Sequence, residues 1–139
     1  MLMYKKISLF CAFAVLLLAS CTMVKGTSKR TVMVTIEPLR YFVEAIAGNR
    51  FDVKTMVPIG GNPETYEPTA QQMIELSHSD LYVKVGSIGF EQTWMKRLKA
   101  NAPHTIIIDS SEGIEPIEST DGVPDPHTWM SCKNAVIIA

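Results

Sequence analysis

From residue 31 onward, short β-branched apolar runs alternate with segments whose apolar residues recur every three or four positions, and few folds are compatible with that alternation. Residues 31–36 read as a buried strand. Pro38 suits a first helical turn, Leu39, Phe42, Val43 and Ile46 then share one face, and Gly48 ends the helix. A second strand is expected over 51–57. Thr69-Ala70-Gln71-Gln72 has the form of a capping box and opens a helix expected to turn Met73, Ile74 and Leu76 inward. Residues 81–85 read as a third strand, 90–100 as a helix with Phe90, Trp94 and Leu98 on one stripe, and 105–108 as a fourth strand. Apolar strands separated by amphipathic helices imply an α/β fold, a parallel sheet with helices on both faces. Such sheets bind ligands in the loops beyond the carboxyl ends of their strands.

The residues before 31 have a different character. Lys5 and Lys6 precede an apolar run over 7–19, broken only by Ser8, and Leu18-Ala19-Ser20-Cys21 follows. The run is too short to span a bilayer as a mature helix, and it ends in small residues and a cysteine. Residues 1–20 therefore resemble a bacterial lipoprotein signal peptide, with Cys21 as the lipidated first residue of the mature chain. The predicted localisation is a bacterial membrane, with the protein facing the periplasm or the cell exterior. Residues 21–30, polar and aperiodic, read as a tether, and 31–139 as the globular unit.

Of 13 basic side chains, Lys5 and Lys6 leave with the signal, so 11 face 14 acidic ones, a net charge of −3 that argues against nucleic acid as a partner. Cys11 also leaves and Cys21 is taken by lipid, which strands Cys132 without a disulfide partner. The fold must rely on its core.

The loops beyond the strands carry the unusual polar residues. One is 58–68, rich in proline and glycine and containing Gly60-Gly61 and Pro63-Glu64-Thr65-Tyr66-Glu67-Pro68; others are Gly86-Ser87-Ile88-Gly89 and Asp109-Ser110-Ser111. None forms a dinucleotide fingerprint, a phosphate loop or a nucleophile elbow, so nucleophilic catalysis is poorly supported. In Asp125-Pro126-His127-Thr128-Trp129-Met130-Ser131 the proline stiffens a turn that presents His127 beside a carboxylate and an indole, and Ser131 can cap a helix after it. A fixed imidazole of this kind serves as a metal ligand or a general base, or it simply packs. His78, near a helix C-terminus, and His104, before a strand, are weaker candidates.

Taken in order, the lipoprotein start, the 63–69 stretch, the 86–94 segment and the 125–131 motif resemble the solute-binding lipoproteins of zinc and manganese ABC transporters, over the length of the chain. The resemblance implies two α/β lobes joined by a long helix, with this chain as the N-terminal lobe and the second lobe absent. It implies capture of Zn2+, or alternatively Mn2+, and delivery to an ABC permease and its ATPase, with no bond made or broken. His127 and Glu64 would be metal ligands. Asp125, Tyr66, Glu67, Trp129 and Gly86 would support or shape the site, and the Gly60-Gly61 and Gly86 loops would let backbone approach the ion. The chain departs from the family pattern twice. Glu64 stands where the family usually has a ligating histidine, which shifts preference toward harder ions, and Cys132 stands where a proline is common. An adhesin or interaction lipoprotein on the same scaffold is the main rival. A metallohydrolase with Glu67 as base is a weaker one.

Overall fold

The computed structural model describes residues 29–118 and 122–139; the signal peptide, most of the tether and the lipid-anchor position Cys21 lie outside the described residues. Four strands, β1 (Arg30–Val34), β2 (Phe51–Thr55), β3 (Leu81–Lys84) and β4 (Ile106–Asp109), form one sheet in the order β2-β1-β3-β4. Every pairing is parallel, with Val32 opposite both Val53 and Leu81, and Leu81 opposite Ile106. The helices are α1 (Glu37–Ala47), α2 (Ala70–Ser77), α3 (Gly89–Asn101) and α4 (Cys132–Ile138). The first strand begins at Arg30, one residue into the predicted tether, because the Arg30 side chain and the Thr31 N–H both bond the Asp80 carboxylate at 3.0 Å.

Strand alternation assigns the two faces of the sheet. Tyr82 and Ile107 turn toward α2 and α3, where Leu76, Leu98 and Ala102 meet them. Val32, Leu81, Val83 and Ile108 turn the other way, toward Leu39, Phe42 and Val43 of α1. Helices therefore cover both faces, as expected, but unevenly. A helix about 10 Å across spans roughly two strands spaced about 4.8 Å apart. On the second face α1 reaches β2, β1 and the near side of β3, and Ile106 and Ile108 stay 60% and 44% exposed.

Most predicted element ends hold to within two residues, and the capping box of α2 is present in both directions. The second strand stops at Thr55 instead of residue 57, although Met56 and Val57 still donate to Val34 and Thr35 carbonyls at 2.8 and 2.9 Å. Ile74 departs from expectation. It is 53% exposed because α2 lasts only eight residues and rests on the sheet through Leu76, with Met73 at the margin.

Candidate metal centre

The site lies at the carboxyl ends of the strands. A cleft there is lined by Ile36, Glu37 and Pro38 after β1, by Val57, Pro58 and Pro63 with the two glycines Gly60 and Gly61 after β2, and by His127 and Trp129. Trp129 packs against the core and its ring stands 5.3 Å from the His127 ring, tilted by 53°. The indole is thus a wall on which the imidazole rests.

His127 is fixed mainly by Asp125. One carboxylate oxygen, Oδ1, accepts from the His127 backbone N–H at 2.9 Å and pairs with ring Nδ1 at 2.7 Å. An ionised carboxylate only accepts, so Nδ1 carries the proton and the neutral ring keeps its Nε2 lone pair for another partner. Both contacts, the backbone one foremost, hold the Asp125 carboxyl below the ordinary aspartate range. The following turn is locked by Ser131, whose hydroxyl accepts from the Asn134 N–H at the start of α4, and by the Asn134 amide, which donates to the Thr128 carbonyl at 3.0 Å. Cys132 occupies the first position of α4 and is exposed.

Glu64 sits one residue beyond Pro63, a wall of the cleft, and is exposed. Its Oε2 accepts the Gly89 N–H at 2.8 Å, and the Pro63 carbonyl accepts the Phe90 N–H at 3.0 Å. The loop after β2 is therefore clipped to the amino end of α3. Gly89 makes that approach possible, since a Cβ there would lie 2.7 Å from the Glu64 carbonyl oxygen.

Tyr66 turns away from the cleft. Its hydroxyl donates to Gln72 Oε1 at 2.9 Å and its ring meets Phe90 at 6.1 Å, so it braces the 58–68 loop against α2 and α3. Glu67 is exposed to solvent. Gly86 sits in a closely packed turn. Its φ is +123° and a Cβ there would lie 2.9 Å from Ser111 Cβ and 3.0 Å from Asp109 Oδ1, so glycine is required by close packing of the loops after β3 and β4. His78 bonds its own helix through Nδ1 to the Ile74 carbonyl at 2.9 Å, and His104 is exposed in a turn before β4. Among the described residues, no three His, Cys, Asp or Glu side chains converge on a point where they could hold an ion.

Sequence reasoning missed Glu91. This side chain is 3% exposed, and its two oxygens accept from Thr35 Oγ1 at 2.6 Å, Val85 N–H at 2.7 Å and Gly86 N–H at 2.7 Å. An acid in the first turn of a helix ordinarily reads as a solvated residue favoured by the helix dipole, so nothing in the sequence marks it as buried.

Residues 32–139 match the family described as zinc-uptake complex component A, periplasmic. A manganese-binding lipoprotein of Halalkalibacterium halodurans is 36% identical over 68% of this chain and 31% of its own length. The manganese ABC transporter substrate-binding lipoprotein PsaA of Streptococcus pneumoniae is 30% identical over 99% of this chain and 49% of its own. Among solved structures, a crystal structure of ZnuA superposes with a TM-score of 0.72 at 40% identity, covering 79% of this chain and 44% of that one. A manganese-bound periplasmic metal-binding protein from Candidatus Liberibacter asiaticus gives 0.70 at 31% identity, covering 79% and 42%. The chain spans about half the length, or less, of the curated relatives it matches. With a parallel sheet, a carboxylate-held histidine at its carboxyl edge and a family match over residues 32–139, the chain belongs to the ZnuA family of periplasmic zinc-uptake components.

Proposed function

We propose that this chain is the N-terminal lobe of a lipid-anchored binding protein that captures a divalent metal, zinc foremost, and passes it to an ABC permease. The observation that carries the reading is the 2.7 Å contact between His127 Nδ1 and Asp125 Oδ1, on a loop that walls the cleft. A carboxylate on one imidazole nitrogen sets the tautomer and raises the basicity of the other, which is the usual preparation of a metal-binding histidine. In this reading Nε2 of His127 donates to the ion and Trp129 keeps the ring from swinging. Glu64 offers its second oxygen, Oε1, while Oε2 remains on the Gly89 N–H.

One imidazole and one carboxylate suit zinc, which wants about four ligands, but they leave its coordination sphere half filled. The length of the relatives supports a second lobe as the source of the remaining donors. Closure of the two lobes over the ion is then the signal of loading that the permease reads. Manganese is the second reading, favoured by Glu64, because a carboxylate replacing an imidazole makes the set harder. Binding and release alone complete this function, with His127 and Glu64 acting as ligands and neither acting as a base.

Zinc titration against a competing chelator, in the full chain that carries this lobe, tests the reading. His127→Ala should weaken zinc by far more than the roughly ten- to hundredfold expected for an outer-shell partner such as Asp125. Unchanged affinity in His127→Ala would place the metal elsewhere. On its own, the 139-residue chain should bind weakly, and tight one-to-one binding would mean that it holds further ligands.

A further inference from the structure

Glu91 brings a charged group into the core at the end of the sheet where the cleft opens. Its carboxylate joins the carboxyl ends of two strands, through Thr35 beyond β1 and through the Val85 and Gly86 N–H groups beyond β3. Tyr82, 1% exposed, extends the network with its hydroxyl 2.8 Å from Thr35 Oγ1. Thr35 donates to Glu91, so the Tyr82 hydroxyl donates to Thr35, and every hydrogen in the chain points toward the carboxylate. Burial pushes the Glu91 carboxyl above its ordinary range, against the pull of Thr35, Gly86 and Val85.

The loop that Glu91 holds is the one that receives Glu64. Gly86-Ser87-Ile88-Gly89 has glycine at both ends, the freest backbone available, yet its two end N–H groups are each bound by a carboxylate: Gly86 by Glu91 at 2.7 Å and Gly89 by Glu64 at 2.8 Å. Glu91 and Gly89 are also two residues apart in the first turn of α3. A displacement of that turn relative to the strands moves the N–H on which Glu64 rests.

We propose that Glu91 is a positioning residue of the metal site, anchoring the first turn of α3 to β1 and β3 so that Gly89 presents Glu64 to the ion. The proposal rests on the reading of Glu64 as a ligand. Three donors converge on the two oxygens, and glutamine has only one acceptor oxygen. Glu91→Gln must therefore set an N–H₂ group against the Gly86 N–H, or against the Val85 N–H and Thr35.

The test is a mutant cycle on zinc affinity in the full chain, read with a competing chelator: wild type, Glu91→Gln, Glu64→Ala and the double variant. Glu91→Gln should weaken zinc about ten- to a hundredfold, the range for outer-shell partners, and should cost little more once Glu64 is already alanine. Val53→Ala, a truncation of a buried β2 side chain outside this network, serves as the control for general destabilisation, lowering the melting temperature while leaving zinc affinity in place. If Glu91→Gln does not fold, Glu91→Asp keeps the charge with a shorter reach and should show the same coupling. Wild-type affinity in the folded Glu91 variant, or an equal loss with and without Glu64, overturns the proposal. A wild-type protein that binds neither zinc nor manganese overturns the metal-binding reading itself.

Discussion

Glu64 Oε2 accepts the backbone N–H of Gly89 at 2.8 Å, so the carboxylate proposed as a metal ligand is also a cap on α3. The two roles can be separated. Glu64→Ala removes the acceptor from a helix amino end and should cost about 0.5–2 kcal/mol in chemical unfolding. Glu64→His also removes that carboxylate but supplies an imidazole, and it should raise zinc affinity relative to manganese. A fall in that ratio would show that the carboxylate is shaped into a coordination set of its own.

Acid should release the His127 turn late. Hydrogen bonds from the His127 backbone and ring hold the Asp125 carboxyl below its ordinary value of 3.8. The folded turn thus binds the Asp125 proton less readily than the unfolded chain does. The stability from this contact is present above pH 3.8 and is lost as pH falls through the lower folded value. A carboxyl-carbon titration by NMR should place the Asp125 midpoint under 3.8 in the native protein. In His127→Ala the midpoint should rise only part of the way, since the backbone N–H of residue 127 still donates. A native midpoint at or above the ordinary value would mean that the contact does not persist in solution.

The sheet was legible because its signals are local. Runs such as Ile106-Ile107-Ile108 suit strands, the Thr69-Gln72 pair announces a helix start, and each connection is too long for a hairpin. Ile74 was not legible, because inwardness in an eight-residue helix depends on how its axis lies over the sheet, and periodicity carries no such information. Within the site, His127 and Asp125 are two residues apart and their contact follows from a short turn, whereas Glu64 and Gly89 are 25 apart and meet only through the loops after β2 and β3. Glu91 was hidden for the same reason. Its partner Thr35 lies 56 residues away, and even Val85, six residues away, meets it only because α3 folds back over the end of β3; a buried acid has the same letter as a solvated one.

Membrane attachment should depend on Cys21, which lies outside the described residues. A small-residue stretch ending in cysteine at the close of an apolar run is the form in which lipid is added. Cys21→Ser should move the protein from the membrane pellet to the soluble extract after cell fractionation. Retention of the serine variant in the pellet would show that attachment does not need a lipid at this position.

Gly86 offers a test of the packing beneath the site that is independent of any metal. Its φ of +123° is a conformation that side chains rarely adopt, and an added methyl would press on Ser111 and Asp109. Asp109 is itself committed, pairing with the Lys84 ammonium and accepting from the Ser111 N–H at 3.0 Å, so the neighbours have little room to yield. Gly86→Ala should therefore cost about 1–3 kcal/mol in chemical unfolding, the range for a strained backbone position. Adding Ser111→Ala removes the hydroxyl that the new methyl meets first and should recover part of the loss, while the backbone share remains. Complete recovery would assign the whole effect to the Ser111 contact, and no loss in Gly86→Ala would mean that the loop after β3 relaxes freely and cannot hold α3 in register with the strands.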